Sequence, residues 1–405
     1  MRVLQVSTYD GGQGAARAAF RLHRALRDQG IDSSMRVAHA SSGDAWVKAP
    51  RSKPRQALAL ARSTASWWLS KPQQSRNPVT HSVAALPSRL DWELNASGAA
   101  LLHLHWLQDE FLSVEAIGRL RGPVVWTLHD TWPFCGSEHY PADARFLEGY
   151  GRGNRAHGDR GWDLDRATWL RKRRAWQQLL PRLHLVAPSH WMAQQVQASA
   201  LLSGVPCSVI PNAVPDLFRP IPRQQARSLL GWPADERVLL FGAMDGSADP
   251  RKGFDLLSAA LDQLSDCESL VAAVLGQSEP LPKPALSIPV RFLGRFHDDL
   301  SLALVYSAAD VVVVPSRLDN LPQSATEPLA CGTPVVAFRQ GGMADLIDHG
   351  LNGWLAEPES PQALAQGIRW CLAGAARGTS PERVRAWRSR AVAESHRDLY
   401  TQVLA

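Results

Sequence analysis

Short apolar runs alternate with helical stretches along this chain, and the alternation occurs twice. Residues 3–7 read as a strand, and a glycine turn follows with Gly11, Gly12, Gln13 and Gly14. Residues 15–29 carry Ala, Leu and Arg at helical spacing, and Gly30 stops that helix. Strand signals recur at 35–38, 101–106, 124–128 and 183–187; Pro188, Ser189 and a helix near 191–200 come next. Beyond Asn212 the pattern restarts, with strands at 238–241, 271–275, 290–293, 311–314 and 334–338 and helices between them. Such alternation predicts parallel sheets covered by helices on both faces. The fold class is therefore α/β, with two doubly wound parallel-sheet, Rossmann-like domains facing a central cleft. Ligands of such sheets sit beyond the carboxyl ends of the strands, which makes the cleft the natural site. The first domain is read as 1–212 and the second as 223–381. Four prolines from Pro211 to Pro222 make 213–222 a stiff hinge.

Composition narrows the class. With 45% hydrophobic and 20% charged residues in 405, the chain is neither disordered nor a coiled coil. No apolar run reaches the roughly 18 residues that span a bilayer, and the N-terminus lacks the features of a secretory signal. The expectation is a soluble, cytoplasmic protein. The five cysteines form no C-x-x-C pair, which argues against a disulfide scaffold or a zinc site. A net charge of +6 favours acidic partners such as nucleotides, phosphates and anionic lipid surfaces. Basic residues gather at 51–55 and 171–174, either as solvated helix faces or as contacts for a peripheral membrane association on the inner surface. No nucleic-acid-binding motif accompanies them, so no nucleic acid is expected. Residues 41–100 break the rhythm, being rich in Ser, Ala, Arg and Pro around Trp67 and Trp68. They read as an insertion packed on the first domain, or as an acceptor- or membrane-touching patch.

The densest chemical signal lies at 315–338. A buried strand at 311–314 runs into a loop holding Asp319, Asn320, Leu321 and Pro322. A helix then starts near Gln323 and carries Glu327. A helix start offers backbone N–H groups and a positive dipole end, which suit a phosphate. Asp319 and Glu327 lie eight positions apart, so both acids can face a ligand at the helix start, where carboxylates suit sugar and ribose hydroxyls. Cys331, Gly332, Thr333 and Pro334 make a tight turn back into a strand, and Gly341 and Gly342 add a flexible loop.

With these motifs the chain resembles retaining glycosyltransferases of the two-Rossmann-domain, or GT-B, type, close to glycosyltransferase family 4. The Asp319-Asn-Leu-Pro variant resembles a subgroup of exopolysaccharide enzymes, including those that make colanic acid. The resemblance includes Gly11–Gly14, His103, His105, the run from Val125 to Phe134, His139, Tyr140, Asn212, and the loop Pro250, Arg251, Lys252, Gly253 and Phe254. It implies a hexosyltransferase that needs no cofactor and no metal. Its partners would be a nucleotide-diphosphate sugar donor and a saccharide or lipid-linked acceptor. In that family an arginine often follows the glycine that ends the strand at 238–241. Here Gly242 is followed by Ala243 and Met244, so the arginine role falls to Arg251.

By the same resemblance, Arg251 and Lys252 neutralise the departing pyrophosphate. Glu327 holds the ribose and Asp319 the donor sugar, supported by the backbone of Asn320, Leu321, Pro322 and Gln323. Gly294, Arg295, Phe296 and His297 sit where the family holds the base, and Arg295 and Phe296 can contact it by stacking. In the first domain Gly12 and Gly14 let the backbone approach phosphate or acceptor. His129 reaches the donor sugar. His103 and His105 line the cleft or are hydrogen-bonded core residues, and Glu138 and His139 are acceptor-side candidates. Relatives carry cysteines in the segment after Tyr140, where residues 141–161 have none. A final helix near 382–404 crosses back to the first domain.

The expected reaction is retaining transfer of a sugar to an acceptor hydroxyl in cell-surface polysaccharide synthesis. No Asp-x-Asp motif lies at a strand end, so Arg, Lys and a helix dipole must meet the leaving-group charge. The alternatives are a non-catalytic or degenerate nucleotide-sugar-binding protein, and a nucleotide-sugar epimerase or hydrolase of the same two-domain shape.

Overall fold

The computed structural model describes residues 1–12, 14–242, 249–280, 286–296 and 298–405. Gln13, Ala243, Met244 and His297 lie outside the described residues. The chain divides into two compact units, one of residues 1–213 with 390–405, the other of residues 214–389.

The strands of the first unit are β1 (Arg2–Tyr9), β2 (Asp32–His39), β3 (Val47–Lys48), β4 (Gln73–Gln74), β5 (Leu101–Leu104), β6 (Val124–Thr127), β7 (Arg160–Gly161), β8 (Leu183–Ala187) and β9 (Cys207–Val209). Seven form one parallel sheet in the order β3-β2-β1-β5-β6-β8-β9, while β4 and β7 pair antiparallel on their own. β5 and β6 are buried along their whole length because helices cover both faces. The register sets Gln5 of β1 beside His103 of β5. Helix α1 (Gly14–Asp28) follows β1, and α2 (Lys53–Ser70) fills much of the stretch that broke the rhythm.

The second unit holds β10 (Arg237–Gly242), β11 (Leu270–Leu275), β12 (Val290–Gly294), β13 (Val311–Val314), β14 (Val335–Phe338) and β15 (Gly353–Ala356). Their order is β12-β11-β10-β13-β14-β15, all parallel. Counted from the first strand of the unit, this is the 3-2-1-4-5-6 order of doubly wound dinucleotide-binding sheets. Four consecutive valines make β13 a central strand buried on both faces.

The segment read as a stiff hinge, 213–222, places Val214 and Phe218 inside the core of the second unit. The helix expected at 382–404 is two helices, Pro381–Trp387 and Ser389–Leu404. Arg388 breaks them with an extended backbone, and its guanidinium donates to the carbonyls of Pro215 and Phe218. Only residues from 390 onward pack into the first unit, where Val392, Leu399 and Tyr400 are buried.

Candidate active site

In the second unit the sheet order reverses between β10 and β13, and ligands of such sheets bind outside the carboxyl ends at that switch point. The loops leaving these two strands carry the expected cations and the expected acid. A 3₁₀ turn at Pro250–Lys252 presents Arg251 and Lys252, and Asp249 caps it by accepting from the Arg251 N–H. Lys252 Nζ donates to Asp319 Oδ2 at 2.7 Å, and Arg251 Nη1 lies 3.4 Å from the same oxygen. Arg251 also donates to the Leu318 carbonyl at 3.0 Å. Burial opposes ionisation of Asp319, but Lys252 and Arg251 outweigh it and hold the carboxyl below its ordinary range. Arg251 Nη2 also donates to Asp249 Oδ2 at 3.2 Å, so two basic side chains meet two carboxylates here.

Two glycines allow these loops to meet. Gly253 (φ +68°) turns so closely that a Cβ there would lie 2.0 Å from the Pro315 carbonyl oxygen. Gly341 (φ +62°) would place a Cβ 2.0 Å from the Asp319 carbonyl oxygen, and the Gly342 N–H donates to that oxygen at 3.1 Å. The Gly341–Gly342 loop, expected to be flexible, is thus a 3₁₀ turn that supports Asp319 from below.

Past Asp319, Asn320 and Leu321 are buried and Pro322 sits at the cap of a helix at Gln323–Ala330. That helix has no acidic residue in its first turn, so its positive end suits an anion. Glu327 lies on the same helix and is 1% exposed. Arg295 is exposed and donates to the Gly276 carbonyl, and Phe296 is partly buried against the core.

In the first unit the switch point falls between β1 and β5. The glycine turn leaves β1, and a Cβ at Gly12 or Gly14 would meet no heavy atom within 4 Å. Asp10 fixes the turn by accepting from the backbone and hydroxyls of Ser41 and Ser42. His105 follows β5 and His129 follows β6. The rings of His103, His105 and His129 stack in succession, with centroids 4.4 and 5.3 Å apart. A small cavity beside them is lined by His105, Thr127, His129, Asn212 and His396.

Donor and acceptor chemistry orders this chain of rings. His105 Nε2 lies 2.6 Å from Gln5 Oε1, a pure acceptor, so that nitrogen carries the proton. Burial holds the pKa of His105 well below the usual value, so the ring is neutral and accepts at Nδ1. His129 Nε2, 3.1 Å away, must then donate, which leaves His129 Nδ1 bare as a base or acceptor. Tyr400 joins the same network, its hydroxyl 2.6 Å from His103 Nδ1 and 3.5 Å from Gln5 Nε2. Nitrogen-15 spectra of histidine-labelled protein are expected to show His129 as the Nε2–H tautomer. Gln5→Leu removes the acceptor that sets the order, and is expected to return His105 and His129 to a mixture of tautomers. Unchanged spectra would contradict this order.

These histidines also make the fold acid-sensitive. Burial keeps His103 and His105 well below the ordinary value of 6.5, and takes His129 and His396 down to about 4. The unfolded chain takes up these protons near pH 6.5 and the folded chain near pH 4 or lower. Stability is therefore full above pH 6.5 and falls as the pH drops from 6.5 toward 4. Thermal unfolding across this window is expected to show that loss, reduced in His103→Asn. A flat profile would contradict it.

The remaining first-domain candidates are hydrogen-bonded within the first unit. Asp130 turns away from His129 and binds His139 Nδ1 at 2.7 Å and the Trp106 indole at 3.0 Å. His139 and Glu138 are buried, His139 against Ser82 Oγ and Glu138 against the Tyr150 hydroxyl. His81 and Asp165 adjoin Glu138, with His81 Nδ1 3.1 Å from Asp165 Oδ1. Asp165 also accepts from Ser137 and Gln73, so this cluster ties the insertion to the helix Leu164–Ala175. The expected basic face at 171–174 is half absorbed into the structure. Arg171 forms a two-pronged pair with Glu115 and donates to the Val83 and Ala84 carbonyls, while Lys172 is fully buried.

Comparison with known proteins decides the family. The family model described as Glycosyltransferase Family 4 matches residues 12–216, more than half of the chain, and that described as Glycosyl transferases group 1 matches residues 235–374. The chain belongs to glycosyltransferase family 4. D-inositol 3-phosphate glycosyltransferase 1 of Catenulispora acidiphila is 37% identical to this glycosyltransferase over 189 residues, 43% of this chain and 44% of the relative. The enzyme of that name from Geodermatophilus obscurus is 38% identical over 183 residues, 41% of this chain and 40% of the relative. The glycosyltransferase thus spans less than half the length of these curated relatives. Two solved structures share its fold. Sucrose-phosphate synthase from Thermosynechococcus elongatus has a TM-score of 0.66 at 19% identity, covering 100% of this chain and 99% of that chain. HepE from Anabaena, solved with UDP and glucose, has a TM-score of 0.63 at 18% identity, covering 99% of this chain and 100% of that chain.

Proposed function

We propose that this glycosyltransferase moves a sugar, with retention of configuration, from a nucleotide-diphosphate sugar to a hydroxyl of a saccharide or lipid-linked acceptor in cell-surface polysaccharide synthesis. The observation that carries the reading is the Lys252–Asp319–Arg251 cluster at the switch point of the second unit, beside a helix start free of acids. A departing nucleoside diphosphate gains negative charge as the glycosidic bond breaks. Fixed cations and a helix dipole stabilise that charge most where they are already in place. Asp319 orders the two cations and offers its carboxylate to sugar hydroxyls. Glu327 is assigned to the ribose, Asn320 to Gln323 to the phosphates and sugar, and Arg295 to the base. In the first unit, Gly12 and Gly14 form the open turn and His129 offers a bare Nδ1 to a hydroxyl.

UDP bound to HepE favours uridine as the nucleotide. The curated relatives are named for D-inositol 3-phosphate, whereas the Asp319-Asn-Leu-Pro loop and the run from Val125 to Tyr140 favour a polysaccharide acceptor. Thermal unfolding with UDP-, GDP-, ADP- and dTDP-sugars tests the donor. A ligand at 100 times its dissociation constant adds about 2.7 kcal/mol. Transfer from the donor so found to inositol 3-phosphate or to lipid-linked saccharide then separates the acceptors. Stabilisation by none of the four donors would overturn the reading.

A further inference from the structure

Helix α2 is inverted relative to an ordinary surface helix. Its inward side is polar: Arg62 donates to the carbonyls of Glu110, Leu86 and Pro87, Ser63 meets the Tyr9 hydroxyl, and Ser66 is buried. Its outward side is apolar. Ala57, Leu60, Ala61, Thr64, Trp67 and Trp68 recur at helical spacing and are all exposed, Leu60 by 63% and Trp68 by 64%. The Thr64 hydroxyl turns back onto the Leu60 carbonyl, so it adds no polar group to that side. A soluble helix normally places these two classes the other way round. The pairing of β4 with β7 brings another aromatic to the end of α2, where Trp162, 71% exposed, donates its backbone N–H to the Pro72 carbonyl.

Charge selects the occupant of this face. From residue 45 to residue 90 the chain has eight Lys and Arg and no Asp or Glu. Among the described residues none of Lys48, Arg51, Lys53, Arg55, Lys71 and Arg76 is ion-paired with an acid, and all are exposed. Lys71 lies over the Trp67 ring at 3.8 Å. Apolar residues along one helix side, tryptophans at its end and basic residues around both form the pattern of a helix lying in a membrane interface.

We propose that the outward face of α2, together with Trp162, docks this protein on an anionic lipid surface. The apolar side chains enter the headgroup boundary and the basic residues meet the lipid phosphates. The inference goes beyond the donor chemistry, since docking requires no nucleotide sugar. It also replaces Arg171 and Lys172, which are occupied inside the first unit, as the source of membrane contact.

Co-sedimentation of the full chain, without donor, tests it with vesicles of phosphatidylcholine mixed with phosphatidylglycerol against phosphatidylcholine alone. The wild-type protein is expected to pellet with the anionic vesicles and to be partly released by high salt. The double variant Trp67→Ser/Trp68→Ser is expected to lose more than about tenfold in partitioning, with an unchanged melting temperature because both rings are exposed. Lys53→Glu/Arg55→Glu is expected to remove the preference for anionic vesicles. Wild-type protein left in the supernatant with both vesicle types would overturn the proposal, as would unchanged partitioning of the tryptophan variant. A dimer abolished by Trp67→Ser/Trp68→Ser, in a protein that does not pellet with vesicles, would assign the face to a second copy and overturn it equally.

Discussion

Lys252→Ala is expected to lower the turnover of transfer by about 10²–10³-fold, or ~2.7–4 kcal/mol of barrier, the scale seen when one fixed charge-stabilising donor is removed. The fold is expected to survive. Arg251 stays 3.4 Å from Asp319 Oδ2, so the buried carboxylate keeps a cationic neighbour. The 2.7 Å contact between Lys252 and Asp319 adds a second expectation. Groups in contact do not lose energy independently, so the double variant Lys252→Ala/Asp319→Ala should depart from the sum of the single losses by about 0.5–3 kcal/mol. Steady-state transfer kinetics on the three variants, with melting temperatures as the fold control, checks both. Wild-type turnover by a folded Lys252→Ala protein would remove this lysine from the chemistry.

Lys172→Met is expected to cause the largest loss of stability. Lys172 is 0% exposed, and its ammonium donates to the carbonyls of Trp132, Cys135 and Gly136. It also lies 3.5 Å from the centroid of the Trp132 ring. Burial lowers its pKa to about 7, against the pull of nearby acids including Glu138 and Asp130. Methionine fills a similar volume but leaves three carbonyl oxygens without their donor. The loss is expected to be about 3–5 kcal/mol, the scale of a broken buried charge site, against a total of roughly 5–15 kcal/mol for a folded domain. Denaturant unfolding measures it. A solvated lysine would give a change within about 0.5 kcal/mol, so that result would contradict the buried assignment.

Both residues show where the sequence stopped being legible. Strand and helix alternation is a local signal, and runs such as the four valines of β13 announce buried parallel strands directly. Lys252 and Asp319 are 67 positions apart and meet only because β10 and β13 are neighbours in the sheet, a fact of strand order that local periodicity does not carry. Their types and loop positions were readable, but their pairing was not. Lys172 sits in a run of four basic residues that reads as solvated, and the carbonyls that bury it come from 36 to 40 positions away. The insertion hid α2 because its flanking strands are only two residues long and its apolar residues face outward, the reverse of the expected pattern. Gln5 did leave a trace: an amide between Leu4 and Val6 in a buried strand must find partners, and these are His105 and Tyr400. β15 was missed because its four residues sit among turn-forming residues.

We propose that the second unit binds the diphosphate of a nucleotide sugar through Lys252 and Arg251, and its sugar through Asp319. Titration calorimetry with free nucleoside diphosphate and with the nucleotide sugar, on wild type, Lys252→Ala and Asp319→Asn, tests it most directly. Lys252→Ala is predicted to weaken both ligands about ten- to a hundredfold, since a hydrogen bond to a charged group is worth roughly 1.5–3 kcal/mol. Asp319→Asn removes a negative charge beside the phosphates, so it is predicted to bind the free nucleotide at least as well as wild type and the nucleotide sugar more weakly. Equal affinities for the nucleoside diphosphate in Lys252→Ala and wild type would remove Lys252 from the diphosphate site.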